Sequence, residues 1–503
     1  MIQESALAEL TALVKRVATL ESIGQLLGWD EQVNLPPGAA EQRAAQQALL
    51  AETMQAAGAA PRIGELLTQL ETRAAELDAG ARAIVAQARR DYDRATRLPP
   101  EFVREKAAQD SRGFHVWAKA RAASDFPAFA PVLETNLELA RREAAYLGRG
   151  DAPYDCLLDK FDPGLTAAAV DRLFAELRRD LVPLMRAIVA SPRAAQARTA
   201  AERLRGFPIA AQRQFLGEVT ERIGFDYQRG RIDVAVHPFC SGTGSDVRLT
   251  TRYREDQPLS ALFGSIHEAG HGLYEQGLPA EHLGTALGIN AGMAVHESQS
   301  RLWENQVGRS RGFWRHFEPR WRELFAAQTA GFSAGELHLA INRVAPTLIR
   351  VEADEVTYNL HIVLRFELEK RLFAGDLAVR DLPAAWRTLS RELLGLEPAH
   401  DAEGVLQDVH WSGGYFGYFP SYCLGNMIAA QLWARVRTLR PELEDDFARG
   451  DFTWLLGWLR EHVHARARRQ SALELVRDLT GEELSPRHLI AYLQERYGAL
   501  YLA

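Results

Sequence analysis

The chain has 503 residues, 47% of them hydrophobic and 25% charged, a globular composition with enough apolar side chains for a large buried core. A formal net charge of -7 argues weakly against a nucleic-acid partner, and no apolar run approaches the ~20 residues a helical membrane span needs. Three widely spaced cysteines, Cys156, Cys240 and Cys423, disfavour both a disulfide framework and a Cys-x-x-Cys metal site, so a reducing cytoplasm fits best.

Taken in chain order, the first segment reads as an amphipathic helix and not as a signal peptide. It lacks a basic start followed by a compact apolar core. Helical periodicity, carried by Ala, Leu, Glu and Arg, predicts helices over 4–28, 39–57, 80–94, 128–146 and 164–190. Their Arg/Glu-rich faces read as solvated surface, and nothing in the first 200 residues looks like a chemical site. Residues 225–253 then alternate apolar and polar around a Gly/Ser-rich turn at 241–245, which predicts a hairpin or small sheet. Further helices are expected over 347–374 and 425–440. With no linker, repeat or low-complexity tract, the expected organisation is one catalytic unit over 1–503, with room for two lobes around a cleft.

Directly after the predicted sheet comes Asp256-Gln-Pro-Leu-Ser-Ala-Leu-Phe-Gly-Ser-Ile-His267-Glu268-Ala-Gly-His271. It reads as a helix with Pro258 in its first turn and Gly277 as a stop signal. Residues four apart on a helix point the same way, so His267 and His271 can present two imidazole nitrogens to one ion. Glu268, rotated away from both, can reach an activated water instead, which is the arrangement a metallohydrolase needs. The bland alternative is a pair of structural histidines. Gly270 and Gly272 weaken a helix by about 1 kcal/mol each, which makes sense where another segment must come close. A third ligand is required, and Glu297 on a second helix, 290–308, is the candidate, with His296 as its rival. Glu304, seven residues on, falls on nearly the same face and can hydrogen-bond a ligand histidine from outside. The same His/His/Glu set suits zinc or cobalt. A non-catalytic structural zinc is disfavoured, because such sites close with four protein ligands, often cysteines, and the cysteines here are remote.

Beyond H-E-x-x-H, the chain carries Asp246-Val-Arg248-Leu-Thr250, His296-Glu297-Ser298-Gln299, Ile349-Arg350-Val-Glu-Ala353-Asp354 and Gly404-Val-Leu-Gln407-Asp408-Val-His410-Trp411. With Leu27-Gly-Trp29-Asp30, Pro36-Pro37-Gly38 and Arg43 near the start, it resembles the carboxypeptidase Taq family of metallocarboxypeptidases along its whole length. The resemblance implies a mainly α fold: a large helical body with a deep active-site groove and one small sheet next to the HExxH helix. It also implies a homodimer, zinc or cobalt at His267, His271 and Glu297, and removal of single residues from peptide C-termini. The substrate would then be a peptide with a free C-terminus.

A planar guanidinium suits a terminal carboxylate by bidentate bonding, which makes Arg350 and Arg248 the anchor candidates, Arg350 preferred as a rigid anchor on a long helix. The bland readings are an ion pair of Arg350 with Asp354 and of Arg248 with Asp246 or Glu255. His237, at a strand end, is a candidate for contact with substrate backbone, and a structural role is as good a reading. His410 followed by Tyr415 and Tyr422 in a glycine-rich loop also resembles the thimet oligopeptidase family. That analogy implies substrate and oxyanion contacts for these three, Tyr422 being the preferred oxyanion donor and Tyr418 a packing residue. Glu268 is the expected general base. An endo- or oligopeptidase with the same metal site is the alternative, and only recognition of the terminal carboxylate separates the two.

Overall fold

In the computed structural model, which describes residues 2–503, the helix-former runs become the helices Ile2–Val33, Ala40–Gly58, Ala79–Arg97, Phe126–Tyr146 and Ala167–Ala190. Their starts have local causes. Asp125 and Thr166 accept hydrogen bonds from the backbone nitrogens of Ala128 and Ala169, satisfying donors that a helix N-terminus leaves free. Among the described residues no helix is long and apolar enough to cross a membrane.

One expected helix is shorter than its sequence pattern. Residues 347–374 give a 3-10 turn, Arg350–Glu352, and then the helix Tyr358–Ala374. Asp354 explains the break. Its carboxylate accepts from the backbone nitrogens of Ala345, Val356 and Thr357 and from the Thr357 hydroxyl, so it holds a turn ahead of the new helix instead of continuing one.

The residues fall into two compact units. The first comprises Met1–Thr96, Arg203–Phe332 and Leu432–Glu483. An apolar cluster ties its N-terminal helices together, with Leu10 against Ile63, Leu66, Leu67 and Leu70. Arg43 bridges two of them by donating to the Leu27 carbonyl and the Asp30 carboxylate, both at 2.5 Å. The first unit also holds the sheet: β1 (Gly230–Val234), β2 (Cys240–Thr243) and β3 (Asp246–Thr251), in the order β1-β3-β2. β2 and β3 form the expected hairpin, and β1 pairs parallel to β3. The buried side of β3 lies under the helix Pro258–Gly277. There the Ser265 hydroxyl donates to Thr251 Oγ1 at 2.9 Å, and Gly272 leaves room for Phe225 and Leu249. The fold is therefore mainly α, with one small sheet beside the HExxH helix, as expected.

The second unit comprises Arg97–Glu202, Ser333–Gln431 and Leu484–Ala503. Here the helices Pro100–Ala123 and Phe126–Tyr146 hold the segment leading to His410. Trp117 Nε1 donates to the Leu406 carbonyl at 2.9 Å, and Asn136 Nδ2 donates to the carbonyls of Trp411 and Ser412 at 2.8 and 3.0 Å. Gly113 sits where a Cβ would lie 2.2 Å from the Ser412 carbonyl oxygen, so only glycine lets that segment lie against the helix.

Candidate active site

In the helix Pro258–Gly277, Leu262, Ile266, Ala269 and Leu273 are buried, which fixes the direction in which His267 and His271 point. The helix begins at Pro258 and ends at Gly277, as the sequence signals predict. The expectation for Gly270 also holds. A Cβ there would sit 2.6 Å from the Ser300 Cα and 2.8 Å from the Gln299 carbonyl oxygen, so the missing side chain lets the helix Met293–Arg301 come into contact. That second helix carries Glu297.

The approach brings three donor atoms together. Glu297 Oε2 lies 3.5 Å from His267 Nε2 and 3.4 Å from His271 Nε2, and all three ligand atoms fall within 4.8 Å of one another. A tetrahedral ion with bonds of about 2.1 Å needs ligand separations of roughly 3.4 Å. The donor set and its spacing therefore fit a divalent metal. His296 lies outside the set, because its Nδ1 meets His271 Nδ1 at 2.5 Å and its Nε2 meets Glu275 Oε1 at 2.8 Å.

The outer atoms of all three residues are engaged. His267 Nδ1 is 2.9 Å from Glu304 Oε2. Glu304 lies in a π-helical turn, Leu302–Val307, which widens the helix after Arg301, a feature that often marks functional sites. Arg301 Nε donates to Glu297 Oε1 at 2.7 Å, and its Nη1 donates to Glu304 Oε2 at 3.1 Å. Burial alone would raise both carboxyls, but Arg301 and His267 outweigh it. Glu297 is held well below the usual carboxylate range and Glu304 at about 2. Burial and the neighbouring His296 lower His271 to about 3, so this imidazole is neutral at pH 7 and keeps a lone pair. Glu268 shows the reverse behaviour: burial pushes its carboxyl up to about 7 against the pull of His267. A carboxyl poised near neutrality is suited to taking and returning a proton.

In the second unit Arg350 occupies the 3-10 turn and not a long helix. Its partner is Asp408 and not Asp354: Nε and Nη2 lie 3.0 and 2.9 Å from Asp408 Oδ1. Nη1 donates to the Tyr358 hydroxyl at 3.0 Å. The other carboxylate oxygen of Asp408 accepts from Arg365 Nε at 2.7 Å and forms an ion pair with Nη2 at 2.5 Å. Burial opposes the Arg350 charge, yet Asp408 keeps it firmly protonated; Asp408 itself stays ionised because both arginines outweigh its burial. His410 opens a 3-10 turn, whereas Tyr422 lies in the helix Phe419–Leu439 and not in the loop, with its hydroxyl 3.5 Å from His410 Nε2. Arg350 Cζ stands 5.1 Å from the Tyr422 ring centre, so Arg350, His410 and Tyr422 form one cluster. Tyr415 is 53% exposed, and Tyr418 packs edge-on to Phe161 and Tyr422.

The remaining candidates sit apart from both groups in their contacts. Arg248 pairs with Asp246 at 2.7 Å and stacks on Trp29 at 4.2 Å, which is its structural reading. His237 is exposed at the bend after β1 and accepts, through its carbonyl, from the Thr250 hydroxyl. Sequence reasoning missed Arg301, Arg365 and Glu369. Arg301 was findable from its four-residue spacing to Glu297. Glu369 carried no such signal, because its partners Tyr154, Trp411 and the Gly417 nitrogen are distant in sequence.

The chain matches the family model described as carboxypeptidase Taq (M32) metallopeptidase over residues 9–497. It is 43% identical to thermostable carboxypeptidase 1 of Thermus thermophilus, covering all of both chains. It is 38% identical to carboxypeptidase 1 of Bacillus subtilis, covering 97% of each. The crystal structure of M32 carboxypeptidase from Deinococcus radiodurans R1 superposes with a TM-score of 0.94 at 43% identity, covering 99% of this chain and 100% of that one. A family match of this extent, with relatives of this identity and a divalent-metal donor set in place, means that the chain belongs to the carboxypeptidase Taq (M32) metallopeptidase family and is a metallocarboxypeptidase.

Proposed function

We propose that the chain releases single amino acids from the free C-termini of peptides, with His267, His271 and Glu297 holding zinc or, as the second choice, cobalt. The observation that carries this reading is the convergence of His267 Nε2, His271 Nε2 and Glu297 Oε2 beside a buried Glu268. When bound, the ion supplies Lewis acidity, making water a stronger acid and polarising the scissile carbonyl. Glu304 and Arg301 keep the ligand side chains oriented.

Glu268 accepts a proton from the attacking water as its oxygen bonds to the carbonyl carbon. It returns that proton to the departing amine as the C–N bond breaks. Tyr422 is the preferred donor to the oxyanion, and its hydroxyl is oriented by His410 Nε2. Tyr415, with its exposed ring, and His410 are assigned to substrate contact. Arg350 is the preferred anchor for the terminal carboxylate. Asp408 is one negative charge shared between Arg350 and Arg365, which leaves one net positive charge on the cluster to which Arg350 belongs. Arg248 and His237 are the further candidates for substrate contact.

A cytoplasmic location rests on the wide spacing of Cys156, Cys240 and Cys423 along the sequence, and a homodimer rests on the family resemblance; light scattering at several concentrations tests the latter. The central test is a mass-spectrometric time course on one peptide with a free and an amidated C-terminus, with Zn²⁺ or Co²⁺ added. Stepwise shortening of the free acid alone is expected. Equal cleavage of the amide would favour the endopeptidase alternative.

A further inference from the structure

Two residues beside the ligand set, the half-buried His296 and the buried Glu275, have no part in the reaction as described. We infer that they form a one-way hydrogen-bonded chain that fixes which nitrogen of His271 faces the metal, and so act as positioning residues for that ligand. The inference rests on the metal site proposed above.

A neutral imidazole carries one N–H and one lone pair, and the hydrogen bond made by one nitrogen decides which is which. His271 Nε2 is the atom that converges with Glu297 Oε2, at 3.4 Å, so the proton of a ligating His271 belongs on Nδ1. That Nδ1 is 2.5 Å from His296 Nδ1. The two ring centres are 4.5 Å apart with 29° between the planes. The centre separation falls just short of the N–N distance plus one ring radius on each side, the limit reached when the two nitrogens point straight at each other, so the rings meet edge to edge, as a hydrogen bond requires. His296 Nδ1 must then accept, which places the His296 proton on Nε2, and that atom faces Glu275 Oε1 at 2.8 Å.

The far end of the chain sets its direction. Asn290 Oδ1 accepts from the Gly292 nitrogen and from Arg468 Nη2, both at 3.3 Å, which turns the Asn290 amide so that Nδ2 donates to Glu275 Oε1 at 3.2 Å. Glu275 Oε1 therefore receives two donors and acts as an acceptor. The reversed chain would set a lone pair of His296 against a carboxylate oxygen and leave His271 with its proton on Nε2, the ligand atom. Helix spacing supplies the parts: Glu275 is one turn beyond His271, and His296 precedes the ligand Glu297. His267 receives the same service directly from Glu304.

The test measures Zn²⁺ affinity of the full chain by competition with a chromophoric chelator, at one pH, for the parent, His271→Ala, His296→Phe, His296→Gln, Glu275→Leu and the Glu275→Leu/His296→Phe pair. Loss of a partner of this kind weakens metal binding about 10–100-fold, which is the expectation for His296→Phe and Glu275→Leu. His296→Gln, whose amide oxygen can still accept from His271 Nδ1, is expected to bind more tightly than His296→Phe. Because Glu275 acts only through His296, adding Glu275→Leu to His296→Phe should cost nothing further. Parental affinity in His296→Phe, or full additivity in the pair, overturns the inference. Should His296→Phe not fold, parental affinity in Glu275→Leu does so alone. Unchanged affinity in His271→Ala would instead overturn the metal site itself.

Discussion

Glu268 and Arg350 are both buried ionisable residues, but their surroundings act on them in opposite ways. Burial dominates at Glu268 and brings its carboxyl to about 7, whereas at Arg350 burial is outweighed by Asp408 together with Tyr358 and Tyr422, which keep the guanidinium charged. Replacing Glu268 by Gln should therefore leave zinc bound, as measured by elemental analysis after dialysis, while turnover falls about 10²–10⁴-fold. Turnover that survives this change would remove Glu268 as the base. Arg350→Ala should chiefly raise KM for free-acid peptides, by roughly ten- to hundredfold if a charged hydrogen bond of about 1.5–3 kcal/mol is lost. The Asp408 carboxylate keeps Arg365 as a partner in that variant, so the fold should tolerate it. An unaltered KM would remove Arg350 from the anchor role.

At the scale of elements, the ligand set is a product of one close helix contact. The Pro258–Gly277 and Met293–Arg301 helices meet at Gly270, where a Cβ would lie 2.6 Å from backbone. Gly270→Ala should push the Glu297 helix away, lowering stability by about 1–3 kcal/mol in denaturant titrations and weakening Zn²⁺ binding. Retained affinity would mean that the contact does not set the ligand spacing. The start and end of the HExxH helix were legible because Pro258 and Gly277 act locally. The helix expected over 347–374 was not, since its apolar spacing continues through the break. What interrupts it is the set of hydrogen bonds made by Asp354, which periodicity does not register. The same limit applies to Arg350, placed by the sequence on a long helix and found in a 3-10 turn against Asp408.

For the whole molecule, Glu369 links pH to stability. Burial raises its carboxyl to about 7, with bonds from Trp411, the Gly417 nitrogen and Tyr154 offsetting only part of the shift. In an unfolded chain a glutamate titrates near about 4.3. Between those values the folded state holds the proton that the unfolded state has lost, so stability declines as pH rises from about 4.3 to about 7. The melting temperature of Glu369→Gln should show a weaker decline than the parent across that window; parallel curves would contradict it. The segment from Trp411 to Gly417 hangs on this carboxylate, so its ordering is a property of the tertiary fold.

The sequence by itself determined the helical class, the small sheet before the HExxH helix, and the pairing of His267 with His271, because helix and strand periods are local. It also supplied the candidates Glu297 and Glu304 by spacing along one helix. Only the tertiary structure decided that His296 backs His271 and that Asp408 is shared by Arg350 and Arg365. Those partners come from segments or faces whose approach depends on packing, and sequence separation carries no record of it.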